Sequence, residues 1–271
     1  MFVFTYVPSN TLYVVAAIMS KDIADVKFDI QESDLGTELL AIPFPFIGKV
    51  PSQFSAEYTT VGGDRSTTPW FRYYGRKLMK EIYDDITKMD LRTTQSMYYL
   101  HGTLGYGKSY ILAVLSVALI KKGYKVVYLP DCGRLARSFT EYLKNALLLT
   151  YANDTGAQEE FLGCQNANEL TQWCVARSSR LDERLYFVID QLNVLDNDLH
   201  STNPTHVDLR NECSKMIAEL EAFHFLVFSG NFQHRINEHL CDPLFIRKSC
   251  YGGLSSVSPL NVLNTIRRTY M

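Results

Sequence analysis

Apolar and polar positions follow two regimes along this chain. From Trp70 onward, short apolar runs alternate with longer stretches of helical period. Arg76–Ile86 (RKLMKEIYDDI) places Leu78, Ile82 and Ile86 at i, i+4 and i+8, on one face of a helix. Met97–Leu100 is a short apolar run ending in a glycine loop. Tyr110–Ile120 then reads as an almost wholly apolar helix, closed by Lys121, Lys122 and the C-cap glycine Gly123. Lys125–Leu129 (KVVYL) predicts a strand, Leu135–Leu149 and Asn168–Ser179 predict helices, and Leu185–Ile189 (LYFVI) a buried strand. Val207–Phe223 repeats the helix pattern and Phe225–Phe228 (FLVF) the strand pattern. Strands alternating with helices of about 10–15 residues imply crossover units and a parallel sheet.

Before residue 64 the pattern differs. Residues 1–63 hold short β-type apolar runs, a Pro-rich turn over 42–51 (IPFPFIGKVP) and the breaker Gly62-Gly63. They predict an N-terminal extension without an assigned role. Residues 64–241 form the main domain, and 242–271, with Gly252-Gly253, a Ser cluster and Pro259, an irregular tail.

Composition narrows the function classes. Of the 271 residues 46% are apolar and 21% charged, with a formal net charge of −2, which excludes wholesale disorder and argues against a basic nucleic-acid coat while leaving room for a local basic patch. The six cysteines form no C-x-x-C pair, so reduced, mostly buried thiols are expected. The apolar run Thr11–Met19 is shorter than the ~20 residues that span a bilayer. No positive charge precedes it, as a signal peptide would require, so no membrane association and a soluble intracellular form are the default.

The densest chemical signal is His101-Gly102-Thr103-Leu104-Gly105-Tyr106-Gly107-Lys108-Ser109-Tyr110. Gly102–Ser109 matches G-x-x-x-x-G-K-[ST], with an apolar strand before it and a helix after it. Gly102, Gly105 and Gly107 let backbone N–H groups curl around phosphate oxygens, and the helix N-terminus adds partial positive charge. Lys108 is placed to reach β/γ-phosphates, and the Ser109 hydroxyl to coordinate Mg²⁺.

Three further segments extend this site. Tyr186–Gln191 (YFVIDQ) is an apolar strand ending in Asp190, positioned beside the glycine loop to hold the metal through water, with Gln191 where many P-loop ATPases carry a Glu. Glutamine orients water but cannot take its proton. Leu226–Asn231 (LVFSGN) places Asn231 to sense the γ-phosphate or position water, although a plain turn Asn fits as well. Arg76, in Tyr74-Gly75-Arg76, stands where the adenine side of a nucleotide site is often lined, or simply starts a helix. Arg235 and Arg247 read as surface arginines rather than γ-phosphate contacts, and His234, His239 and Cys241 do not amount to a metal site. Arg177, Arg180 and Arg184 read as a solvated helix end.

Together YYGRKLMKEIYDDI, HGTLGYGKSY, KKGYKVVYLPD, YFVIDQLNVLD and LVFSGN resemble the NTPase module of Crinkler-type effectors, over roughly residues 70–235. Those modules belong, with the related retrotransposon-hot-spot proteins, to the AAA+/STAND-like P-loop ATPases. The resemblance implies a three-layer α/β sandwich with a mostly parallel sheet in 5-1-4-3-2 order, and ATP and Mg²⁺ as cofactors. It also implies an effector secreted to the host nucleus, with nucleic acid as a partner where a nuclease-like domain is fused. The family's ubiquitin-like header and L-x-L-F-L-A-K-type motif are not found, the nearest stretch being ELLAIPFPFIGKVP. The segment after Asn231 leaves little room for a fifth strand and a lid, as in a truncated member.

Two functions follow. One is an ATP-binding protein with weak or conditional ATPase activity. The other is a non-catalytic, nucleotide-bound scaffold that engages a protein partner or a second copy of itself. A small-molecule kinase would need an Arg-rich lid, for which Arg134–Arg137 is slight.

Overall fold

The computed structural model describes residues 9–27, 39–55, 57–61, 64–89, 96–102, 105, 107–181, 183–195, 204–231 and 244–249. Helix α1 (Ser9–Asp25) precedes β1 (Leu39–Pro43), β2 (Glu57–Val61) and β3 (Asp64–Tyr74), which pair antiparallel in the order β1-β3-β2. Helix α2 (Lys77–Thr87) leads to β4 (Met97–Gly102), α3 (Lys108–Lys121) and β5 (Lys125–Leu129). Helices α4 (Cys132–Arg137), α5 (Phe139–Thr150), α6 (Thr155–Gly163) and α7 (Ala167–Leu181) return the chain to β6 (Leu185–Ile189). A 3₁₀ turn (Leu192–Leu195), α8 (Pro204–Glu221), β7 (Phe225–Asn231) and β8 (Leu244–Ser249) follow.

The larger sheet runs β5-β6-β7-β4-β8. Its first four strands are parallel, and β8 lies antiparallel to β4. This is the 5-1-4-3-2 order of a P-loop NTPase, with an antiparallel strand in the fifth place. The connection through α3 crosses the sheet in one direction, and the connection through α8 steps back in the other. Right-handed crossovers therefore set α3 and α8 on opposite faces, giving three layers. The carboxyl ends of β4, β6 and β7 gather at one edge, which is where this architecture places ligands.

Two expectations are corrected. The tail over 242–271 is not irregular throughout, because 244–249 pairs along the whole of β4, from Leu244 opposite Gly102 to Ser249 opposite Met97. An open edge on β4 leaves backbone N–H and C=O groups wanting partners, and backbone pairing needs no apolar periodicity to supply them. Nor are the apolar runs before residue 64 all of β type. Residues 9–25 form α1, whose buried Ala16, Met19 and Ile23 recur at helical spacing and pack toward α3 and α5. The β-branched Val14 and Ile18, which gave the run its strand character, are exposed on the outer face.

The N-terminal segment also shares the main core. Phe44 packs edge-on against Phe71 and Tyr128, with ring centroids 6.2 and 5.9 Å apart. Lys121 Nζ, at the end of α3, donates to the Val26 carbonyl just past α1. The small sheet straddles residue 63, since β2 and β3 lie on either side of it and pair together.

Local signals explain the remaining differences. The helix predicted over 135–149 breaks at Ser138, whose φ of −147° and ψ of 54° are not helical. Helix α6 escaped the pattern because Gly156 and Gly163 dilute its periodicity, yet Asp154 caps it by accepting from Ala157 N at 3.0 Å. On the edge strand β5, Thr150 Oγ1 donates to the Val126 carbonyl at 2.6 Å and blunts further pairing there. No helix among the described residues is long and apolar enough to cross a membrane.

Candidate functional site

Strand β4 carries the chain to the glycine loop, and α3 begins immediately after it. Gly105 (φ +87°) and Gly107 (φ +76°) sit in left-handed backbone that a side chain would strain, and Gly107 is the N-cap of α3. Thr103, Leu104 and Tyr106 lie outside the described residues. Gly102 ends β4 opposite Asn231, the last residue of β7, so these two sequence-predicted positions are brought side by side in the backbone.

Lys108 opens α3 and is only 7% exposed. Burial pushes its amine below the usual lysine range, while the Asp190 carboxylate opposes that shift. Asp190, just past β6, is 1% exposed. Burial raises its pKa, and the neighbouring Ser109 and Ser229 hydroxyls, the Gln191 N–H and the Lys108 charge act to lower it. The fold thus sets an amine, a hydroxyl and a carboxylate from distant parts of the sequence against one another at a single helix N-terminus.

The backbone fixes Asp190 firmly. Its N–H donates to the Leu129 carbonyl at 3.0 Å, and its own carbonyl accepts from Cys132 N at 3.2 Å. Asp190 Oδ1 accepts from Gln191 N at 2.9 Å and from the Ser229 hydroxyl. Gln191 N also lies 3.3 Å from Ser229 Oγ. These contacts hold Gln191 at φ +63°, a left-handed conformation uncommon for a residue other than glycine. Asp190 Oδ2 is buried and has no hydrogen-bond partner.

That orphaned oxygen tests whether a metal fits. Asp190 Oδ2 and the Ser109 hydroxyl beside the same carboxylate are hard oxygen donors, the type Mg²⁺ prefers. Mg²⁺ commonly takes one or two protein carboxylates and completes its shell with phosphates and water. The residues present fit it. No cluster of three or more His, Cys, Asp or Glu suited to a metal exists among the described residues. His234, His239, Cys241 and Arg235 lie outside them.

Arg76 lies against the glycine loop at Gly107. A Cβ at Gly107 would lie 2.9 Å from Arg76 Nη2, so the guanidinium rests on the N-terminus of α3. Tyr110 turns away toward the N-terminal segment, its ring 4.7 Å from Phe54 and 5.6 Å from Phe71, and its hydroxyl accepts from Ser55 N at 3.3 Å. Arg134 does not form a lid, because it pairs with Asp131 at 3.4 Å and donates to the Lys49 carbonyl at 3.4 Å.

Arg177 and Arg184 are not simply solvated, while the Arg180 side chain lies outside the described residues. Arg177 pairs with Glu183 at 2.8 Å and faces the rings of Tyr151 and Trp173. Arg184 donates to the Phe223 carbonyl at 3.3 Å. The described cysteines are free thiols, with Cys132, Cys174 and Cys213 buried, as composition implied.

Ser229 is the site residue that sequence reasoning missed. Its only signal was a polar residue two positions before Asn231, hence on the same face of β7.

No family model matches the chain, and no curated protein does. Among solved structures it is similar to C. elegans PCH-2, at 11% identity over 61% of this chain and 40% of that one, with a TM-score of 0.33. The chain therefore spans well under two thirds of PCH-2. It is also similar to the pCW3 conjugation coupling protein TcpA, solved as a monomer with ATPγS. That match has 15% identity, covers 82% of this chain and 77% of the other, and has a TM-score of 0.30. Superpositions this loose carry no functional argument. The P-loop NTPase fold stands on the strand order itself.

Proposed function

We propose that this chain binds ATP together with Mg²⁺ at the carboxyl edge of its parallel sheet and hydrolyses it weakly or conditionally. The observation that carries this reading is the convergence of Lys108, Ser109 and Asp190 at the N-terminus of α3. Lys108 and the first N–H groups of α3 face the β/γ-phosphates, with the Arg76 guanidinium beside them. Ser109 and Asp190 would hold the Mg²⁺, which would supply neutralisation of phosphate charge. Asn231 stands at the end of β7 to orient water.

A second reading is a nucleotide-bound scaffold without turnover. Gln191 favours it, since an amide beside Asp190 holds water without accepting its proton. The effector role rests on the motif resemblance alone. Nucleotide binding and turnover by the purified chain, with Lys108→Ala as control, test both readings. Binding with slow turnover supports the first, and binding without turnover supports the second.

A further inference from the structure

We propose that Ser229 is a positioning residue for the metal. Its hydroxyl pins one oxygen of Asp190 so that the other is presented to Mg²⁺. This rests on the nucleotide-binding reading above and names a residue that reading does not contain.

The argument begins with the two oxygens of a buried carboxylate. In water they are equivalent, each accepting several hydrogen bonds, and the group turns freely about its last torsion. At Asp190 they are not equivalent. Oδ1 accepts from both the Ser229 hydroxyl and the Gln191 N–H, whereas Oδ2 is buried with no hydrogen bond at all. Turning the carboxylate would break two bonds to a charged acceptor at once, so the bare oxygen stays where it points.

The direction of the Ser229 proton is fixed as well. The Gln191 N–H approaches Ser229 Oγ at 3.3 Å and occupies a lone pair there, which leaves the hydroxyl proton for Asp190. Oδ1 therefore receives two donors, which suits an ionised carboxylate. Ser229 itself is held rigidly, being 1% exposed on the central strand β7. The next residue, Gly230, lies so close to the Tyr99 hydroxyl that a Cβ there would collide with it. Strand β7 is paired along its length with β4, with Leu100 opposite Ser229. An unpaired carboxylate oxygen in a dry site is costly unless a cation meets it, and this lock spares Oδ2 for that cation.

The test measures nucleotide affinity without and with metal. A fluorescent ATP analogue is titrated into the parent, Ser229→Ala and Ser229→Thr, first in EDTA and then in saturating Mg²⁺, alongside each unfolding midpoint. In EDTA the parent and Ser229→Ala should bind within about twofold of each other. On adding Mg²⁺ the parent should tighten, and Ser229→Ala should lose about tenfold of that tightening, the size of one charge-assisted hydrogen bond. Ser229→Thr, which keeps the hydroxyl, should recover most of it. Equal Mg²⁺ tightening in Ser229→Ala and the parent overturns the proposal. So does a loss of affinity that is the same in EDTA and Mg²⁺ and tracks a lowered unfolding midpoint. A parent that binds nucleotide in neither buffer overturns the proposed function itself, and this role with it.

Discussion

Arg76 rests against Gly107: the space a Cβ would take at residue 107 is 2.9 Å from Arg76 Nη2. The contact joins the start of α2 to the N-cap of α3 and brings a second cation beside Lys108. Gly107→Ala would both strain a backbone at φ +76° and push the guanidinium away. It should cost about 1–3 kcal/mol of stability and weaken ATP binding further than that loss explains. Comparing denaturant midpoints with ATP titrations of the folded variant separates the two effects.

Gln191 decides between enzyme and scaffold. A carboxylate beside Asp190 could accept a proton from attacking water. Gln191→Glu should therefore raise single-turnover ATP hydrolysis by about tenfold or more with little change in affinity. A fast parent that slows on substitution would make the amide itself the water-positioning group.

His224 and Glu221 give stability opposite slopes with pH. His224 is fully buried, its Nδ1 accepting from Leu185 N at 3.3 Å and its Nε2 set against the Cys174 carbonyl at 2.9 Å. Burial lowers its pKa from 6.5 to about 4, helped by the Arg184 charge, while the Cys174 hydrogen bond and Glu183 oppose the shift. A depressed histidine contributes stability that is complete above its unfolded pKa and is lost as pH falls from 6.5 toward 4, roughly 3 kcal/mol in all. Burial raises Glu221 to about 7, so its ionisation costs stability above that pH, and the cost is relieved as pH falls toward 4.5. The two slopes offset one another. Unfolding free energies of Glu221→Gln between pH 4 and 8 should therefore fall more steeply on acidification than those of the parent, and those of His224→Gln less steeply.

Much of the fold was legible because the parallel strands are apolar runs buried on both sides. LYFVI and KVVYL cannot be mistaken for polar loops, and β6 is buried at every position. The glycine loop was legible because its backbone needs leave residue types with few substitutes, as Gly105 and Gly107 at positive φ show. Strand β8 was illegible because backbone pairing to β4, rather than an apolar period, places it. Helix α1 was masked by β-branched residues that turn out to be exposed. Ser229 was passed over for Asn231, since only the folded sheet shows which polar residue of β7 meets Asp190.

Arg177 shows how a cation near a helix end becomes structural. Its Nε and Nη2 both donate to Glu183 Oε2, at 3.2 and 2.8 Å, and its side chain is 14% exposed. Lysine cannot reproduce that fork or lie flat on Tyr151 and Trp173. Arg177→Lys should lower stability by about 1–3 kcal/mol and leave ATP affinity unchanged, as chemical denaturation and nucleotide titration would show.

Lys108 carries the central claim. It is the buried amine whose charge faces Asp190 at the start of α3, and its removal should weaken Mg·ATP binding by about 2–4 kcal/mol. The direct measurement is calorimetric titration of Mg·ATP into the parent and Lys108→Ala under identical conditions. The account predicts saturable binding by the parent and a dissociation constant raised at least about thirtyfold in the variant. Equal affinity in the two proteins would contradict the assignment of this site.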